Sequence, residues 1–116
     1  MNTLFITGAS SGIGRETARY FARHGWRVIA TMRNPQKAGE LADMSNVVIM
    51  PLDLTNPEQI RETSRKALAE YDVDVLFNNA GYGIMGPFEK LPENEIRTLF
   101  DTDVIGTMLV TQQFIP

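Results

Sequence analysis

Apolar and polar positions alternate along this chain in short blocks of two periods. "TLFIT" (Thr3–Thr7) is an apolar and β-branched run stopped by Gly8, and it predicts a buried strand. From Ile13 to His24 the period becomes helical. Ile13, Thr17 and Phe21 form one row, Ala18 and Ala22 the next, and Gly25 supplies the stop. "WRVIATM" (26–32) predicts a second strand, and "NPQKAGELADM" (34–44) a short helix opened by Asn34 with Pro35 at its first position. Val47–Leu52 predicts a third strand. In "DLTNPEQIRETSRKALAEY" (53–71), Thr55 or Asn56 caps a helix with Pro57 just inside and Glu58 in its first turn. Ile60, Ala67, Leu68 and Tyr71 form its apolar stripe. "VDVLFNN" (73–79) predicts a fourth strand, followed by the loop "AGYGIMG". Pro92 opens a helix through Phe100, and a further helical stretch runs to the end.

The order β-α-β-α-β-α-β-α, with short apolar strands, predicts an α/β fold with a parallel sheet covered on both faces. The expected architecture is a Rossmann-like doubly wound sheet, limited to its first four strands, with residues 1–116 in one domain. Right-handed crossovers follow.

Composition narrows the function classes. The net charge of −3 and the lack of any dense Lys/Arg stretch argue against nucleic acid as a partner. The chain has no cysteine, which removes disulfides, thiolate metal sites and a Cys nucleophile, and permits the expected cytoplasmic location. "MNTLFITG" lacks the basic n-region of a signal peptide. No run approaches the ~18 apolar residues of a membrane span.

Chemistry enters at "TGASSGIG" (7–14), a glycine-rich loop between a strand and a helix. Gly8 permits a sharp turn, Gly12 leaves no side chain between backbone and ligand, and Gly14 permits close packing of helix on sheet. The free N–H groups near Ile13 and Gly14, with the helix dipole, suit a pyrophosphate. The spacing of a Walker loop is absent. The bland reading is a plain tight turn.

T-G-x-x-x-G-x-G after the first strand, Asp53 after the third ("PLDLT") and Asn78-Asn79-Ala80-Gly81 after the fourth together resemble the short-chain dehydrogenase/reductase family, over the N-terminal half of its domain. The resemblance implies that Gly8, Ser10, Ser11, Gly12, Ile13 and Gly14 surround the cofactor phosphates. It implies that Asp53 receives the adenine amino group and that Leu54 lines the adenine pocket. Asn78, Asn79, Ala80 and Gly81 would fasten the sheet centre and pass close to the ribose. Asp53 could equally cap the turn before the next helix, and the Asn residues could serve only strand-end backbone groups.

The second strand ends "VIATMRN". No acid lies between Thr17 and Gly39, so the carboxylate that takes a ribose 2′-OH in NAD sites is missing. Arg33 stands there instead and could clamp a 2′-phosphate, with Ser11 offering a second hydrogen bond. The expected cofactor is therefore NADP rather than NAD. Arg33 could otherwise be a solvated surface charge, and Arg15 is expected to face solvent or the pyrophosphate.

The family's chemistry is hydride transfer between nicotinamide and a carbonyl or alcohol carbon. It uses a Ser and a Tyr-x-x-x-Lys pair, in which the Lys lowers the pKa of the Tyr. Tyr20, Tyr71 and Tyr82 are followed at the fourth position by His24, Val75 and Gly86, so none fits. The family's Asn-Val-x-Gly reads "DVIG" here, with Asp103 in place of the Asn, which puts the proton relay in doubt. Asp101 and Asp103 read as a solvated helix surface, with no metal site.

No catalytic residue is thus assigned. The chain is expected to be the NADP-binding half of an oxidoreductase, inactive alone. The alternative is a non-catalytic dinucleotide-binding regulatory or sensor module. "GYGIMGPFE", with Tyr82, Ile84 and Met85, hints at an apolar substrate. The fourth strand would be an apolar edge, so self-association through that edge or the last helix is expected. His24 suits the end of the first helix, and Trp26 reads as packing.

Overall fold

The computed structural model describes residues 1–116. Four strands, β1 (Thr3–Ile6), β2 (Arg27–Met32), β3 (Val47–Pro51) and β4 (Val75–Phe77), form one sheet in the order β3-β2-β1-β4. Every pairing is parallel: Leu4 stands opposite Val28 on one side and Val75 on the other. The four α-helical segments are α1 (Gly12–Arg23), α2 (Pro57–Glu70), α3 (Glu93–Phe100) and α4 (Thr107–Phe114). This is the expected doubly wound α/β architecture.

Strand residues point alternately to the two faces, and both faces are covered. Leu4, Ile6, Val28, Ala30 and Met32 pack with Ala18 and Ala22 of α1. Phe5 and Ile29 pack on the other face with Ile60 and Ala67 of α2 and Val110 of α4. That two-sided burial explains why the strands read as unbroken apolar runs. Gly14, Ala18 and Ala22 are the buried residues of α1, and their small size seats the helix close to the sheet. The Phe5 and Phe114 rings lie 4.5 Å apart, tying the end of α4 to β1. Trp26 packs edge-on against Phe21 at 5.0 Å, and His24 Nδ1 lies 2.7 Å from the Tyr20 carbonyl at the end of α1.

Several expectations change. The segment 34–44 is not an α-helix but two 3₁₀ turns, Pro35–Lys37 and Gly39–Asp43. Asn34 does cap the first, its Oδ1 accepting from the Gln36 N–H. Gly39 then takes φ +59, a left-handed conformation that no α-helix continues through. Asn56, not Thr55, caps α2, accepting from the Gln59 N–H. Its stripe is Ile60, Thr63, Ser64 and Ala67, while Leu68 is 44% exposed. Ile13, expected on the apolar row of α1, is 74% exposed.

The chain from Glu93 to Phe114 is helical throughout but passes through a π-helical segment, Asp101–Gly106. A Cβ on Gly106 would collide with the Leu54 carbonyl, so this glycine lets the helix close onto the loop after β3. β4 pairs only with β1 and leaves its other edge open, with Val75 exposed. Phe100, Val104, Ile105 and Met108 are also exposed along the last helical stretch. No helix is long and apolar enough to cross a membrane.

Two residues of the stripe expected on α2 separate burial from period. Ile60→Ala removes a fully buried side chain and is expected to cost about 2–5 kcal/mol. Leu68→Ala is expected to change stability by about 0.5 kcal/mol or less. Urea denaturation of both variants checks this; equal losses would contradict the packing described.

Candidate functional site

β1 and β4 are sheet neighbours, and the chain leaves them toward different elements. The loops after them therefore meet beside an open crevice, as expected at the switch point of a doubly wound sheet. The contact is tight. The Thr7 hydroxyl accepts from the backbone N–H groups of Asn79 and Ala80, each at 3.0 Å. Asn79 Nδ2 donates to the carbonyls of Thr7 (3.2 Å) and Gly8 (3.1 Å). Gly8, at φ +67, passes so close that a Cβ would lie 2.8 Å from Ala80 Cα. A Cβ on Gly14 would collide with the Gly8 carbonyl oxygen and Asn79 Nδ2. Asn78 points elsewhere and donates to Thr111 Oγ1 of α4 at 3.0 Å.

Above this junction lies a cleft of about 680 Å³. Of the residues singled out from the sequence, Gly8, Ser10, Ser11, Ile13, Arg33, Asp53, Leu54, Asn79, Ala80 and Gly81 all border it. Gly12 and Gly14 shape it without lining it. Gly12, at φ +56, has open space where a Cβ would be, and Gly14 is buried beneath the loop. Ser11 stands at the N-cap of α1, but its side chain makes no capping hydrogen bond. The backbone N–H groups of Gly12, Ile13 and Gly14 donate to no group of the protein. The exposure of Ile13 follows from its place on the cleft rim.

Arg33 is exposed at the end of β2 and engages in no salt bridge. Asp53 Oδ1 accepts from both the N–H and the hydroxyl of Thr55, at 2.9 and 2.7 Å. The turn-capping role is therefore real, and it leaves Oδ2 facing no protein donor. Arg15 faces neither solvent alone nor the cleft. Its guanidinium donates to the Ala38 carbonyl at 3.4 Å and lies against Gly39. Asp103 is half-buried rather than simply solvated, and its Oδ1 accepts from the Tyr82 N–H at 3.0 Å.

The sequence reading misses four contributors. Thr7 is the acceptor that ties the two loops together, and its signal is a threonine at a strand end before a glycine. Thr98 and Thr102, one helical turn apart, form part of the wall offered by the last helical stretch. Lys37 borders the cleft with Arg33, and its signal is a cation four residues on across an Asn-Pro turn. A smaller hollow of about 450 Å³ shares Tyr82 and Thr98 with the cleft and adds Ile84 and Met85.

The arrangement suits an extended ligand with anionic and aromatic parts: unpaired N–H donors in the middle, cations at the end of β2, and an apolar slot beside Leu54. A family model for short chain dehydrogenases matches residues 2–116, and the chain belongs to that family. An oxidoreductase of Penicillium decumbens, calM, is 37% identical over 115 residues, covering 94% of this chain and 38% of that protein. A short-chain dehydrogenase from Streptomyces avermitilis superposes with a TM-score of 0.91 at 37% identity, over 97% of this chain and 42% of that one. An NADPH-bound carbonyl reductase from chicken fatty liver does so with a TM-score of 0.87 at 27% identity, over 98% of this chain and 47% of that one. The chain thus spans less than half the length of each of these three relatives.

The junction predicts its own sensitivity. Gly14→Ala pushes a methyl group into the Gly8 carbonyl and is expected to destabilise by about 1–3 kcal/mol. Gly83→Ala, in open space, is expected to stay within about 0.5 kcal/mol of the parent. Thermal unfolding of the two variants makes the comparison, and a neutral Gly14→Ala would contradict the close approach.

Proposed function

We propose that the cleft holds NADP(H), and that residues 1–116 are the cofactor-binding part of an oxidoreductase acting on a carbonyl or alcohol substrate. The observation that carries this reading is the pairing of two features in one cleft. Unpaired N–H groups open α1, and an unpaired Arg33 ends β2 where NAD sites place a carboxylate. The NADPH carried by the chicken carbonyl reductase supports the same ligand.

In this reading the pyrophosphate lies against the N–H groups of Gly12, Ile13 and Gly14, where Gly8 and Gly12 let the backbone come close. Ser10 and Ser11 add hydroxyl donors. The adenine sits beside Leu54, with its amino group toward the free Oδ2 of Asp53. Asn79, Ala80 and Gly81 pass the ribose. Arg33 forks onto the 2′-phosphate, with Ser11 as a second donor, and repels nothing there as a carboxylate would. When bound, the nicotinamide supplies or takes the hydride. The Tyr82, Ile84 and Met85 hollow faces an apolar substrate. The chain holds no Tyr-x-x-x-Lys sequence, so by itself it binds cofactor without turnover. The cytoplasm is the proposed location.

Calorimetric titration with NADPH and NADH tests the reading. NADPH is expected to bind more tightly, and Arg33→Ala to weaken it by about 10- to 100-fold, the worth of a charged hydrogen bond. NADH binding should change little. Equal binding of both cofactors by the parent chain would overturn the NADP assignment.

The open β4 edge and the exposed apolar residues on the last helical stretch also support self-association of this chain. Sedimentation velocity at rising concentration is expected to show larger species. A monomer throughout would refute it.

A further inference from the structure

We propose that Lys37 is a second cation for the 2′-phosphate, acting beside Arg33. The inference rests on the cofactor reading above and adds a specificity-determining residue to it.

Charge balance calls for more than one cation. A phosphate monoester carries about −1.5 to −2 at neutral pH, more than one guanidinium offsets. Among the residues bordering the cleft the only cations are Arg33 and Lys37, and the only carboxylate is Asp53, whose Oδ1 accepts from Thr55 and which forms no salt bridge with either cation. Neither cation engages in a salt bridge. The nearby acid that could neutralise Lys37 is Glu40, and it is held instead by Arg19 of α1 at 2.6 Å.

The backbone then makes the placement definite. Asn34 caps the turn through Oδ1, Lys37 N–H donates to the Asn34 carbonyl, and Ala38 N–H donates to the Pro35 carbonyl. This tight turn brings the residue four positions beyond Arg33 back to the same cleft. Just past it the chain is fixed: Ala38 and Leu41 are buried in the core, and Arg15 donates to the Ala38 carbonyl. Lys37 is therefore a flexible, unpaired ammonium on an anchored base. A surface lysine that merely keeps the chain soluble needs neither the anchor nor the removal of Glu40.

Titrations of the 116-residue chain with NADPH and with NADH test the proposal. Lys37→Gln is expected to weaken NADPH about tenfold and NADH less than about twofold, since the contact is charge-assisted but partly screened. Lys37→Arg is expected to keep the parent's NADPH affinity, because it keeps the charge. Raising the salt concentration should shrink the NADPH difference between the parent chain and Lys37→Gln. If Lys37→Gln weakens both cofactors equally, or neither, the proposal is overturned while the Arg33 reading stands. If the parent chain shows no preference for NADPH, the cofactor reading fails and this inference fails with it. Lys37 is exposed, and an unchanged thermal transition in Lys37→Gln confirms that binding rather than folding is measured.

Discussion

The close approach of two loops, Thr7–Gly14 after β1 and Asn78–Gly81 after β4, is the constraint on which the rest of the site depends. Parallel neighbours leave the sheet in the same direction, so their loops must compete for one volume. Here the competition is resolved by removing side chains and by satisfying the polar groups that are crowded. Gly8 and Gly14 have no Cβ to collide with Ala80 or with the backbone of the glycine loop. The Thr7 hydroxyl and the Asn79 amide each make two hydrogen bonds across the junction. A buried donor or acceptor left unpaired there would cost about 1–3 kcal/mol, so the same contacts that hold the loops also prevent a penalty. The start of α1 is thereby held with its first N–H groups outward, and the cleft exists because the junction beneath it is solid.

A second clamp acts on the other wall. Arg15 and Arg19 lie one turn apart on α1 and reach the segment 38–40, one to a carbonyl and one to Glu40. The segment that follows Arg33 is thus tied to the helix that follows the glycine loop. The part of the cleft with unpaired N–H groups and the part that carries Arg33 are linked through these two contacts. An exposed pair such as Arg19–Glu40 adds little to folding by itself.

Much of this is legible in the sequence, and the failures have physical causes. The strands are readable because each is built from apolar runs that the two covered faces require, and α2 because Asn56, Pro57 and Glu58 mark its start. The glycine loop, Asp53 and Asn79 are readable because their spacing relative to strand ends is fixed by the fold. The segment 34–44 misleads because an Asn-Pro start looks the same for a 3₁₀ turn as for an α-helix. Only Gly39, in the left-handed region, separates them. Ile13 misleads because a helical period cannot tell a core-facing position from one at the rim of a cleft. Arg15 misleads because its partner is a backbone carbonyl, and backbone acceptors leave no trace in residue identity.

Asp103 shows the same limit from the other side. The sequence alone makes it a departure from the Asn of the family it resembles, and the loss looks chemical, since a carboxylate cannot donate. The structure shows what the position does in this chain: Oδ1 accepts from the Tyr82 N–H and holds the loop after β4 against the π-helical segment. An Asn offers the same acceptor on the same short stem, so this positioning role survives either residue. The wide π turn brings the carboxylate to the loop, and the helix itself is seated by Gly106 against Leu54. What distinguishes the two residues is the second side-chain atom, a donor in Asn and a charged acceptor in Asp. The departure therefore bears on whatever meets that second atom, and leaves the architecture of the cleft untouched.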